Sequence, residues 1–267
     1  MPVTLSPAAR SALVARLRAA GCVFAEDEAQ LLVAEAGTPA ELAIMADRRV
    51  SGLPLEQVVG WAGFCGLRIA VAPGVFVPRR RTEFLVSQAI AVAPPRPVVV
   101  DLCCGSGAVG AALAAALGPA GLHAVDIDPV AVRCARGNIG PAGGSVYAGD
   151  LFAPLPAALR GRVDILAANV PYVPTGDVAL LPAEARLHEP RVALDGGGDG
   201  LDVLRRVAAG APRWLAPGGS LLVETSAAQE RQACDTARRA GLVPRMARSA
   251  ALGASVLIAT RPAGQRG

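Results

Sequence analysis

From Pro97 onward the chain alternates short apolar runs with helical stretches, and this alternation limits the possible folds more than any other feature. Residues 98–102 read as a strand, 108–117 as a helix, 122–126 as a strand and 130–138 as a helix. Strands recur over 144–148, 163–168 and 220–224, the last after a helix over 200–214. A strand that returns through a helix to a parallel neighbour forms a βαβ unit. The expected product is therefore an α/β fold, a mostly parallel sheet with helices on both faces. A helix over 227–240 leads to two apolar runs, 242–246 and 254–260, expected as antiparallel end strands joined through Gly253.

The first sixty residues follow a different period. Leu13, Leu17 and Ala20, then Leu31, Leu32 and Glu35, then Leu42, Ile44 and Met45 recur at helical spacing, the third set after a Thr38-Pro39 start signal. Residues 1–60 are expected as a small helical domain. Between Trp61 and Pro78 the pattern changes to alternating runs, 67–71 and 75–77, separated by Pro73-Gly74. That reads as a hairpin linker over 61–80. A helix over 81–93 then opens the large domain, 81–267.

Composition narrows the class. With 52% hydrophobic and 18% charged residues the 267-residue chain is not a disordered one, and no run is apolar for the roughly 20 residues of a membrane helix. The start, Met1-Pro2-Val3-Thr4, lacks a basic and then apolar leader, so a cytoplasmic location is expected. Six scattered cysteines have neither CxxC spacing nor neighbouring histidines, so no metal site is expected; Cys103-Cys104 reads as small apolar residues ending a buried strand. The net charge is +4 and every basic residue is arginine. Such a balance permits RNA, ribosomal or acidic-protein partners, but 3% aromatics supply no basic-aromatic strip for single-stranded nucleic acid.

The chemistry gathers at strand ends. The 98–102 strand runs into Cys103-Cys104-Gly105-Ser106-Gly107 and then a helix, a ligand loop at the carboxyl end of a first parallel strand. A helix amino terminus there offers free N–H groups and a positive dipole end, suited to a carboxylate or a phosphate. The next strand ends in Asp126-Ile127-Asp128-Pro129, with Asp126 about 20 residues past the glycines, where a ribose hydroxyl pair is held. That spacing also suits a dinucleotide. Gly149-Asp150-Leu151 after the third strand, with Asp150 and Leu151 flanking an adenine, and Asn169-Val170-Pro171-Tyr172 after the fourth are features a hydride-transfer enzyme does not need.

An Asn-x-Pro-Tyr loop suits a planar nitrogen. Asn169 Oδ1 and the Val170 carbonyl can each accept one N–H of an amide, aiming its nitrogen at a methyl donor, while Tyr172 stacks on the plane. Positioning supplies roughly 7–11 kcal/mol and a general base only roughly 3–5, so no base is required. His123 and His188 form no Ser/His/Asp or Cys/His constellation.

With these motifs the sequence resembles the PrmC/HemK family of protein-(glutamine-N5) methyltransferases, which modify the Gly-Gly-Gln loop of peptide-chain release factors. The resemblance also covers Phe76-Val77-Pro78-Arg79-Arg80-Arg81-Thr82-Glu83, Glu189 to Gly197 with Asp199-Gly200-Leu201, and Leu215 to Ser220 leading to Glu224 and Gln229. It implies a class I Rossmann-like seven-stranded methyltransferase sheet behind a helical N-terminal domain and β-hairpin linker, with S-adenosyl-L-methionine as methyl donor. Asp101, Cys103, Cys104, Gly105, Ser106, Gly107, Asp126, Ile127, Asp150, Leu151 and Asn169 are the implied cofactor contacts. Asn169, Val170, Pro171 and Tyr172 are the implied catalytic loop, and Arg79, Thr82, Glu83 and Glu189 the substrate side.

Two positions depart from the family: Cys103 replaces a glycine, and Val170 replaces the first proline of Asn-Pro-Pro-Tyr. Valine keeps the accepting carbonyl but adds a backbone donor and frees φ. The acceptor therefore stays open between a release-factor glutamine, another protein glutamine and a small molecule. Adenine in nucleic acid and a non-catalytic cofactor-binding module are the competing readings. Blander local readings also stand: 79–81 as a solvated basic face, Thr82 and Glu83 as a helix cap, and 195–200 as a flexible turn.

Overall fold

The computed structural model describes residues 3–263. Four helices come first: α1 Pro7–Ala19, α2 Ala25–Glu35, α3 Pro39–Val50 and α4 Leu55–Val59. Ser6 and Thr38 cap α1 and α3 by accepting from Ala9 N (3.2 Å) and Glu41 N (3.1 Å), each with proline in the first turn. Leu17, Leu32, Leu42 and Val58 form their shared core, separate from that of the sheet.

The hairpin lies earlier than the sequence suggests. It pairs β1 Trp61–Phe64 with β2 Leu67–Ala70 around Cys65-Gly66, not around Pro73-Gly74. Cys65 and Gly66 both take positive φ (49° and 76°), the two-residue turn whose twist matches the strands it joins. Residues 75–77 form no strand, because the Val77 N–H is taken by the Glu189 carboxylate (3.1 Å).

A single 3₁₀ turn, Arg80–Thr82, precedes α5 Glu83–Val92. The sheet then builds from β3 Val98–Leu102, α6 Ala108–Leu117, β4 Gly121–Asp126, α7 Pro129–Ile139, β5 Ser145–Ala148 and β6 Val163–Ala168. After a long connection holding α8 Ala183–His188 come α9 Asp202–Trp214, β7 Leu215–Thr225, α10 Glu230–Arg239, β8 Val243–Ser249 and β9 Ala254–Thr260. Strand order is β5-β4-β3-β6-β7-β9-β8, with β5 to β7 parallel and β9 antiparallel to both its neighbours. β7 starts five residues before the expected strand because the register shifts between Val163 and Ile165, accommodating the Pro217-Gly218-Gly219 bulge.

Both sheet faces are covered. Leu204, Val207, Ala211 and Trp214 of α9 pack on one face, and residues of α5, α6 and α7 on the other. Strand order reverses at β3, with β4 on one side and β6 on the other, so a crevice opens above its carboxyl end. Leu102 lies opposite Val125 of β4 and Ala168 of β6, and Ala168 opposite Val223 of β7. The loops after these strands therefore leave the sheet level with one another.

Candidate active site

At the β3 end, Cys104 N donates to Val125 O (3.1 Å) and Gly105 N to Asp126 Oδ2 (2.8 Å), tying the glycine turn to the next strand. Asp126 Oδ1 accepts from Asp128 N (2.9 Å), so each oxygen has one backbone donor and a lone pair left for a hydroxyl. Burial pushes the Asp126 carboxyl up, and these N–H groups offset part of the rise. Beneath the turn Asp101 is buried and accepts from Gly110 N (2.9 Å); desolvation raises its pKa to about 7.

Cys103 adopts φ 55°, a backbone region that glycine enters freely and that costs other residues about 1–2 kcal/mol. Gly107, at φ 79°, has no room for a side chain: a Cβ there would meet Ile139 Cδ1 at 2.8 Å. It shapes the turn from behind and does not line the cleft, unlike the other expected cofactor contacts. Asp150 is ion-paired with Arg206 (2.5 Å), and Leu151 supplies apolar lining next to it.

The Asn169 loop leaves β6 beside this turn, and the two face one cleft of about 420 Å³. Among the described residues the Asn169 amide makes no hydrogen bond, although it is half-buried at the cleft wall. Val170 is 2% exposed and packs in the sheet core while also lining the cleft. The Tyr172 hydroxyl is engaged: it donates to Glu224 Oε1 (3.1 Å) and accepts from Arg81 Nη2 (2.5 Å). Burial, reinforced by Glu224, pushes its pKa up to about 12, so it stays a phenol.

Behind that loop the glycine-rich run acts as a buttress. A Cβ on Gly200 would lie 2.3 Å from Tyr172 O, and one on Gly196 would lie 2.7 Å from Pro171 O. Gln229 Nε2 bridges the Tyr172 and Asp199 carbonyls at 3.0 Å each. The run reads as a flexible turn in sequence; its function is close backbone approach. Glu224 and Gln229 enter the sequence reading only as family residues without a role, because their partners lie 52 and 57 positions away.

The substrate-side residues divide. Arg79 Nη2 donates to both oxygens of the buried Glu189 (2.7 and 2.6 Å), so these two line the cleft as a clamp on each other. Thr82 also lines it; its hydroxyl caps no helix and has no partner among the described residues, which overturns the capping reading for that residue. Glu83 stands outside the cleft, accepting from Cys65 N (3.0 Å) and steadying the hairpin turn instead. Nor is 79–81 a uniformly solvated basic face, since Arg79 and Arg81 are ion-paired to buried carboxylates.

The helical block is fastened to the same region. Buried Arg49 of α3 grips Glu28 of α2 (2.6 Å) and Glu184 of α8 (2.5 Å), and Gln57 donates to Val75 O (3.1 Å) and His188 O (3.4 Å).

Solved structures share this architecture. A methyltransferase from Pyrococcus furiosus superposes with TM-score 0.56 at 15% identity, covering 82% of this chain and 99% of that one. A ribosomal protein L11 methylase from Lactobacillus delbrueckii subsp. bulgaricus gives 0.51 at 17%, covering 69% and 80%. Both share this chain's Rossmann-like fold, while the methyltransferase small domain match and the curated relatives that follow make the chain an S-adenosylmethionine-dependent methyltransferase. The methyltransferase small domain family matches residues 66–201. Release factor glutamine methyltransferases are similar over a longer stretch. That of Geobacter sulfurreducens is 41% identical over 72% of this chain and 68% of its own length. Those of Mycolicibacterium smegmatis (41%; 74% and 72%) and Bradyrhizobium diazoefficiens (35%; 84% and 83%) agree. This chain belongs to the release factor glutamine methyltransferase family.

The residues present fit that methyl donor. Asp126 keeps acceptor capacity for ribose hydroxyls, and Ile127 and Leu151 offer apolar surface for a base. Among the described residues all three arginines lining the cleft are already paired with carboxylates, which leaves no free cation there for a pyrophosphate. Among the described residues no helix is long and apolar enough to cross a membrane, and no His/Cys/Asp/Glu group is arranged to hold a metal.

Proposed function

We propose that this enzyme methylates the side-chain amide nitrogen of a glutamine presented by a protein substrate, a peptide-chain release factor. The observation carrying this reading is the unengaged Asn169 amide, held beside the Gly105 turn by adjacent parallel strands. Its relatives' names point to the same acceptor.

When bound, S-adenosylmethionine supplies an electrophilic methyl group on a positively charged sulfur. Asn169 Oδ1 and the Val170 carbonyl accept the two N–H groups of the substrate amide and so fix the direction of its nitrogen. That orientation matters because the amide lone pair is delocalised and accessible only perpendicular to the amide plane. The nitrogen so aimed would take that methyl group and give up one proton to water, leaving a neutral secondary amide. Tyr172, held as a phenol, contributes a flat surface and no base.

Purified enzyme incubated with labelled methyl donor, a release factor and, separately, nucleic acid tests the assignment. Mass spectrometry is expected to find one methyl group on a release-factor glutamine. Label on adenine, or on no protein at all, overturns it.

A further inference from the structure

The acceptor end contains a buried charge that the reaction does not consume. Glu224, at the end of β7, is 2% exposed. Its Oε1 takes two bonds, from Arg81 Nε (3.0 Å) and from the Tyr172 hydroxyl (3.1 Å), while Oε2 is buried with no partner among the described residues. Leaving a buried carboxylate oxygen unpaired is costly, and core packing at that position is served equally well by an apolar residue. What Glu224 does that an apolar residue does not is hold the Tyr172 hydroxyl. Arg81 closes the triangle: it bonds the same hydroxyl, and its guanidinium carbon lies 5.8 Å from the centre of the Tyr172 ring. Three elements far apart in sequence, the turn before α5, the loop after β6 and the end of β7, thus converge on one phenol oxygen.

Resting on the amide-methylation reading above, we propose that Glu224 and Arg81 are positioning residues for the reaction, fixing the Tyr172 ring plane against the acceptor amide through the tyrosine hydroxyl. Among the described residues neither is hydrogen-bonded to the 103–107 turn. Their loss acts on turnover with bound acceptor and leaves cofactor affinity alone.

A double-mutant cycle on the full chain tests this. Tyr172→Phe and Glu224→Ala are each expected to lower kcat about 10-fold. S-adenosylhomocysteine affinity, measured by calorimetry, should stay within twofold. Because both break one tether, the double variant should be no slower than the worse single one. Glu224→Gln, which restores an acceptor oxygen, should recover to within about threefold of the parent. Two losses that multiply to about 100-fold, or a Glu224→Ala enzyme with parental kcat, overturn the proposal.

The chain has two tyrosines, so ring-labelled tyrosine gives two NMR signals, assigned with Tyr147→Phe. The Tyr172 signal should shift in Glu224→Gln and in Arg81→Leu, and an unmoved signal refutes the tether. This arm reads out without turnover and also covers the case in which Glu224→Ala fails to fold. An unmodified glutamine with the parental enzyme, by contrast, sinks the amide-methylation reading itself.

Discussion

The two ends of the cleft are built by different means. At the cofactor end, apart from the exposed Arg206–Asp150 pair, backbone N–H groups meet carboxylates on β3 and β4: Gly105 on Asp126, Gly110 on Asp101, Asp128 on Asp126. At the acceptor end, side chains meet across 52 to 143 residues of sequence: Tyr172 with Glu224, Arg81 with Glu224, Arg79 with Glu189. A local, backbone-made site tolerates changes in side chains, whereas a site made of long-range ion pairs depends on each partner. Cys103 illustrates the first, since the turn makes its backbone hydrogen bonds with a cysteine at φ 55°.

The contrast breaks most sharply at Asn169. Asn169→Ala should lower kcat about 100-fold or more, because one of two orienting acceptors is lost, while S-adenosylhomocysteine affinity stays within a few-fold. Comparable losses in both would mean that the two ends are not separable.

Asp101 probes the floor of the cofactor end through pH. The folded chain holds this carboxyl protonated up to about pH 7, whereas in the unfolded chain it ionises near its ordinary value of 3.8. Between those values the native state binds the extra proton, so rising pH lowers stability across that window and no further above it. Asp101→Asn keeps an acceptor for Gly110 N and removes the titration. It should be more stable than the parent by about 2–4 kcal/mol at pH 8 and nearly equal at pH 4, as denaturant melts at the two pH values will read.

Gly200→Ala should push the Tyr172 carbonyl away and strain a φ of 76°, costing about 1–3 kcal/mol of stability and depressing turnover more than cofactor binding. Asp126→Ala is the mirror of Asn169→Ala. Cofactor affinity should fall about 10-fold or somewhat more, with kcat at saturating donor kept within a few-fold. Smallest is Arg206→Ala: an exposed pair with Asp150 is worth less than about 1 kcal/mol, and the melting midpoint should barely move.

The same contrast explains what sequence could tell. Strands 98–102, 163–168 and 254–260 coincide with the observed elements, because buried parallel and central strands are near-continuous apolar runs with sharp ends. The glycine turn after β3 was legible as a turn for the same reason, its parts being close along the chain. The hairpin was misplaced because Pro73-Gly74 looks like the stronger turn, while Cys65-Gly66 depends on a left-handed cysteine that composition does not announce. Arg79 and Glu189 read as substrate ligands because nothing local says that two residues 110 apart neutralise each other. The roles of Arg81, Gly200, Glu224 and Gln229 were hidden for the same reason.

The level ends of β3 and β6 have a last consequence. Neighbouring strands in any sheet sit about 4.8 Å apart, a spacing dictated by peptide hydrogen bonds and indifferent to side-chain identity. The sheet thus serves as a ruler between the cofactor turn and the Asn169 loop. A change of side chain at Cys103 or Val170 leaves that spacing as it is, because the backbone sets it.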